Sequence, residues 1–197
     1  MKKPAVLFVL FLAAALVQLA VPAAMIVRHE ATLRHGRVFK FQTQPVDPYD
    51  AFRGRYVALR IEPGTVKEVA VPPWGYDERA YAELAEDTNG FTRVKRLSRE
   101  RPAGPDAWVE VRVSCYVNPF ARSAGGETAR ITWPFDRFYV QENVAPAAEK
   151  AYREHSRAGA QDAFVVVRVS DDGAAVIEDL WVGGKPLRDF LREANGR

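Results

Sequence analysis

The 197 residues hold one cysteine, two methionines and three histidines. The single cysteine, Cys115, excludes an internal disulfide and a cysteine-built zinc site. His29, His35 and His155 have no recognisable ligand spacing. His29 and His35 flank the end of an apolar run, and His155 lies on a predicted helix among charges, where surface solvation accounts for it. Neither a metal nor a cofactor is expected. No internal repeat and no low-complexity tract is visible. Charge of one sign is also missing, since 28 Lys+Arg face 25 Asp+Glu and leave a formal net charge of +3. With 48% hydrophobic and 27% charged residues, the chain is not disordered, collagenous or polytopic in a membrane. Outside the N-terminal segment the charges nearly cancel, so no nucleic-acid partner is expected.

What is present begins with Pro4–Val27, PAVLFVLFLAAALVQLAVPAAMIV, in which Gln18 is the one strongly polar side chain. As a helix this run spans about 36 Å against a hydrocarbon core of about 30 Å. Lys2 and Lys3 precede it, and Arg28, His29 and Glu30 end it. A secretory signal peptide cleaved after Ala23 is the alternative. The run continues past that point through Met25, Ile26 and Val27, which favours an uncleaved anchor. The expected organisation is an anchor over 1–27 with residues 4–27 in lipid, a juxtamembrane connector over 28–36 and an extracytoplasmic domain over 37–197. Arg28, Arg34, Arg37 and Lys40 count against that orientation, but large domains translocate largely regardless of such charges.

The outer domain reads as α+β, mainly antiparallel β, with a barrel-like closure as one option. Strands are expected from Arg37, over Arg55–Glu62, Phe91–Leu97, Trp108–Tyr116 and Arg130–Val140, with Pro134 bending the last. Alternation puts Arg55, Val57, Leu59 and Ile61 on one face and Tyr56, Ala58 and Arg60 on the other. Ala163–Ser170 and Ala174–Val182 read as strands flanking Asp171-Asp172-Gly173, a hairpin signal. The apolar run Phe164–Val167 suggests a central strand. Two helical excursions are expected, over Asp77–Asp87, rich in helix formers, and over Pro146–Arg157, with Pro146 in its first turn. A short amphipathic helix is expected at Leu187–Ala194.

The phrase Pro45–Ile61, PVDPYDAFRGRYVALRI, resembles the signature of the GDYXXLXY family of membrane-anchored bacterial proteins of unknown biochemical role. Pro45, Val46, Asp47, Pro48, Asp50, Arg53, Gly54, Tyr56 and Leu59 fit it, whereas Arg55 replaces the Asp of GDY and Ile61 the final Tyr. A catalytic carboxylate or metal ligand would not survive replacement by arginine. Asp47, Asp50, Arg53, Gly54, Tyr56 and Leu59 therefore read as a structural turn and strand start. The resemblance implies a bacterial inner-membrane protein, single-pass, with its C-terminal domain on the periplasmic side, and relatives that often accompany a multi-spanning membrane protein.

No nucleophile stands in a recognisable setting beside a base, and no catalytic residue is assigned. Arg93, Lys95, Arg96 and Arg99 form the densest basic stretch, a solvated strand and loop by default and a lipid-headgroup contact as the alternative. Trp133, Phe135, Phe138 and Tyr139 read either as sheet core or as a ligand groove. Trp74 and Tyr76 flank a Pro-Pro/Gly loop and read as exposed. With Arg137, Tyr139 and Glu142 they are the candidate contacts for a partner or ligand. Glu142 is expected to pair with Arg137 or to accept amides where the second helix starts. The leading expectation is a non-enzymatic accessory or assembly partner of another envelope membrane protein. A ligand-binding or sensory domain comes second, and a hydrolase with a site assembled from distant residues third.

Overall fold

The computed structural model describes residues 3–44, 56–66, 74–116, 128–157 and 162–195. The signature positions Asp47, Asp50, Arg53 and Gly54 lie outside them.

The apolar run forms helix α1, Lys3–His35, with Pro22 inside it. Its stretch Val6–His35 is long and apolar enough to cross a membrane, and the most apolar part is not buried against the rest of the chain. The expected connector takes the form of the helix's own last turns. Gly36 alone separates α1 from strand β1, Arg37–Gln44.

Strands β2, Tyr56–Ala58, and β3, Arg60–Ile61, replace the single expected strand. The break falls at Leu59, whose amide donates to the Asp136 carbonyl at 2.8 Å. The expected alternation holds across it, for Val57, Leu59 and Ile61 are buried. Next come β4, Thr65–Val66, β5, Glu78–Glu86, β6, Thr92–Ser98, and β7, Trp108–Tyr116. Then β8, Thr128–Thr132, and β9, Arg137–Tyr139, are separated by the segment around Pro134. Helix α2, Ala145–Ser156, precedes the hairpin of β10, Phe164–Val169, and β11, Ala175–Val182. The short β12, Lys185–Pro186, and helix α3, Leu187–Asn195, close the order.

The helix expected over Asp77–Asp87 is strand β5. Its helix formers also alternate, and Ala80, Ala82 and Leu84 are buried with period two. The strand lies between β6 and β7, paired on both sides. Tertiary pairing overrides intrinsic propensity here.

The described strands form two five-stranded sheets, ordered β12-β11-β10-β1-β3 and β4-β8-β7-β5-β6, and a two-stranded ribbon of β2 and β9. The paired strands are antiparallel, and the arrangement includes a half-barrel. As expected, β10 is central, between β1 and β11. Both sheets contribute to one hydrophobic core. Phe41, wholly buried, has its ring centroid 5.0 Å from Trp133 and 5.1 Å from Phe135. Trp133 and Phe135 thus lie in the core, Phe138 packs against it and Tyr139 is exposed.

Candidate functional site

Among the described residues, two places carry exposed aromatic and charged side chains held by strands. The first is the β2–β9 ribbon. Tyr56 pairs with Tyr139, Val57 with Phe138 and Ala58 with Arg137. Val57 is buried and Phe138 packs against the core, so alternation turns Tyr56, Arg137 and Tyr139 outward. The Tyr56 and Tyr139 rings meet edge-on at 5.9 Å. The Arg137 guanidinium lies 5.2 Å from the Tyr56 ring centroid, with Nε 3.4 Å from Asp136 Oδ1. Tyr139 is 71% exposed. Aromatic and arginine side chains grouped in this way are the types that dominate binding at protein interfaces.

The ribbon stands where the signature ends, and the chain is fixed on both sides of that segment. Gln44 ends β1 and pairs with Arg60. Its carbonyl accepts the Tyr152 hydroxyl of α2 at 2.7 Å. Burial pushes the Tyr152 phenol up, which keeps it a donor. Thr43 is buried, and its hydroxyl donates to the Ala163 carbonyl at 3.0 Å. Sequence reading placed α2 but missed Tyr152. The available signal was an aromatic at helical spacing from Ala148 and Ala151, both buried. Glu142 lies exposed on the turn between β9 and α2. The start of α2 is closed by the Gln141 carbonyl, which accepts the Val144 and Ala145 amides, and its N-cap Val144 has no side-chain cap.

The second place is the turn before β5. Here Trp74 corrects the expectation of exposure, being 4% exposed with Arg99 stacked 5.1 Å from its ring centroid. The flanking prolines read as a loop, and the shelter comes from a residue distant in sequence. Tyr76 is 89% exposed, as expected. Asp77, at φ 52, turns the chain, and its amide donates to Ser114 Oγ at 3.1 Å. Glu78 accepts Arg99 Nε at 2.5 Å and the Gly75 amide at 2.8 Å. The Arg99 hydrogen bond and then the Gly75 amide hold the Glu78 carboxyl below its usual range.

The basic stretch is matched inside the domain. Lys95 pairs with Asp106, Arg96 with Glu83, and Arg99 with Glu78, while Arg93 donates to the Glu86 carbonyl at 3.4 Å. Glu83 is buried, and Arg96 at 2.5 Å supplies its counter-charge. The side chains of Lys95, Arg96 and Arg99 stay partly exposed within these pairs. His155 also departs from its expectation of solvation. Its Nδ1 lies 2.8 Å from Asp162 Oδ1, and its ring meets Phe190 edge-on at 5.2 Å. Among the described residues, no three His, Cys, Asp or Glu side chains converge as metal ligands.

A third feature went unread in the sequence, the joint between α1 and the domain. Arg28 reaches Asp172 in the β10–β11 turn at 2.5 Å. Asp172 also accepts the Ser170 hydroxyl and the Ala174 amide. Together these hold its carboxyl below its usual range, Ser170 contributing most. Thr32 is buried. Gly36 donates its amide to the Thr32 carbonyl at 2.9 Å and accepts Arg168 Nη1 at 3.2 Å. A side chain at Gly36 would place its Cβ 2.5 Å from that carbonyl and 3.1 Å from the Val169 nitrogen. Arg168 is anchored in turn on Glu178 at 2.7 Å. No flexible spacer separates the apolar helix from the sheet.

A family model described as GDYXXLXY protein matches residues 18–180. No curated protein and no solved structure matches the chain. With most of its length matched, the chain belongs to the GDYXXLXY family.

Proposed function

We propose that this protein is a non-enzymatic, single-pass accessory subunit of the bacterial inner membrane. Its helix α1 remains uncleaved in the lipid, its domain lies on the periplasmic side, and it assembles with another envelope membrane protein. The observation that carries this reading is the braced joint at Arg28, Thr32 and Gly36. A domain that only captures soluble ligands has no need of a fixed height and azimuth above the bilayer. A domain that docks on a protein in the same bilayer gains from both, because ordering is done before binding. Tyr56, Arg137 and Tyr139 supply a fitting contact. The packed Phe41–Trp133–Phe135 cluster speaks against a ligand pocket among the sheet aromatics.

The test is purification from membranes in mild detergent, comparing the wild type with Arg137→Ala/Tyr139→Ala. A defined membrane-protein partner retained by the wild type and lost by the variant, at an unchanged melting temperature, supports the reading. Purification of the wild type alone, even after cross-linking in the membrane, overturns it. Protease digestion of the domain in spheroplasts tests the orientation, and resistance would reverse it. A mature N-terminus at Ala24 would remove the anchor.

A further inference from the structure

Gln18 and Pro22 stand at positions i and i+4 of α1. Proline has no amide hydrogen, so the Gln18 carbonyl loses the donor that would close its helical turn. The Gln18 side chain is exposed, and the most apolar part of the helix is 0% buried in the rest of the chain. One residue therefore presents a carboxamide and a freed backbone carbonyl within about one helical turn of each other. Taking Pro4–Val27 as the span, Gln18 falls within about 4 Å of the bilayer centre at 1.5 Å per residue. Lipid tails offer neither donor nor acceptor there. Leaving such groups unpaired costs on the order of 1–3 kcal/mol each by protein mutational measures. The side chain is too short to reach either interface.

The domain restricts what can cover this place. Thr32, buried at the joint, is 14 positions from Gln18, within about 40° of it around the axis at 100° per residue. Arg28, bonded to the β10–β11 turn, lies about 80° away in the same sense. The domain thus overhangs the side of α1 that bears Gln18. A second copy laid parallel there would drive its own helical residues 28–35 into the hairpin. A helix that ends at the membrane surface would pass beneath it.

We propose that the Gln18–Pro22 turn of α1 is a docking site for a transmembrane helix of a different membrane protein, one presenting a polar side chain near the bilayer centre. A hydroxyl, amide or protonated acid there donates to the freed Gln18 carbonyl, and an acceptor on the same helix takes the carboxamide. This rests on the accessory-subunit reading and names the contact within the bilayer. The driving force is hydrogen bonding and close packing, since hydrocarbon supplies no hydrophobic drive.

The experiment uses the full chain in native membranes, with a photoactivatable residue at Phe11 or Ala14, on the Gln18 side, or at Leu16 or Ala20, on the opposite side. The expected result is one adduct from Phe11 and Ala14 only, with a mass that is not a multiple of 22.0 kDa. Its cross-linked peptide should lie in an apolar span with a polar side chain within one turn. Gln18→Leu should reduce the yield about tenfold, the size of one to two interhelical hydrogen bonds. Gln18→Asn should retain most of it, and Gln18→Leu/Pro22→Ala should abolish it. An adduct of two copies, equal labelling of both sides, or a yield unaffected by Gln18→Leu would each overturn the inference. If a cross-linker at Tyr139 captures a membrane protein while α1 captures none, the bilayer contact fails and the accessory reading stands. Capture from neither position overturns both.

Discussion

The α1 joint and the β2–β9 ribbon are built on opposite principles. At the joint the named polar groups are matched within the chain, and two glycines, Gly36 and Gly173, admit contacts that a side chain would block. The ribbon consists of two three-residue strands, with one partly buried ring beneath it and two tyrosines turned outward. Close packing with satisfied polar groups makes the joint rigid and intolerant of change. Exposed aromatics add little to folding, because burial is what converts their area into stability. On the proposed function the joint positions and the ribbon touches, and substitutions at the two should be readily distinguished.

The largest effect is expected at Gly173. Its φ is +82, and a built Cβ would lie 2.1 Å from the Trp108 ring. Gly173→Val must both strain the backbone and displace a buried tryptophan, so a loss of about 3 kcal/mol or more is expected. Guanidinium unfolding of the full chain in detergent micelles measures it. A loss below that of Tyr139→Ala would reverse the comparison. Gly36→Val comes next, at about 2 kcal/mol, because the Thr32 carbonyl and the Val169 backbone cannot withdraw without opening the joint. It should also broaden the distance distribution between spin labels on α1 and the outer domain. An unchanged distribution would show that the joint does not set the domain's position.

The difference between these regions was only partly legible in the sequence. The hairpin was, because Asp-Asp-Gly between apolar runs has a local mechanism, and so was α2, from Pro146 in its first turn. β5 was not, since Ala, Glu and Leu favour a helix locally and only its neighbours β6 and β7 make it a strand. Trp74 was misjudged for the same kind of reason, because Arg99 covers it from another strand's end. Arg28 and Asp172 are far apart in sequence, and no local pattern announces their contact. The outward pair at the ribbon was half visible. Tyr139 was already a candidate contact, but its pairing with Tyr56 depends on the register of β2 against β9.

Acid should affect two carboxyls of the β11 region, Asp172 in the turn before the strand and Asp179 within it, in opposite senses. Asp172 is held below its ordinary 3.8, so its contribution is present above that value and is lost as pH falls through the depressed pKa. Asp179 is raised, chiefly by burial. Its contribution is full below the ordinary carboxylate range and is lost as pH rises through the raised pKa. Asp179→Asn should therefore leave stability at pH 7 equal or slightly higher and remove a gain seen on mild acidification. Asp172→Asn should cost about 1 kcal/mol or less at pH 7, since the pair with Arg28 is largely exposed, and flatten the acid limb. Melting curves from pH 3 to 8 decide. Parallel profiles for the two variants would contradict the assignment.

The smallest effect on folding is expected at Tyr139. Its ring is 71% exposed and meets Tyr56 edge-on, so Tyr139→Ala removes one edge contact and little buried area. Such a contact is worth about 0.5–1.5 kcal/mol in protected settings, and exposure puts this one at the lower end. A melting point within about 2 °C of the wild type is expected, since 1 kcal/mol shifts a domain of this size by roughly 2–4 °C. Association should respond differently. Truncating an aromatic anchor at the centre of an interface costs on the order of 2 kcal/mol or more, about thirtyfold in affinity. Arg137→Lys sharpens the test, because it keeps the charge and loses the planar guanidinium stacked on Tyr56. If the ribbon is a contact surface, both variants weaken partner retention while their melting curves overlay the wild type. If retention survives both, the outward tyrosines serve only the register of β2 against β9. The functional difference between joint and ribbon would then disappear.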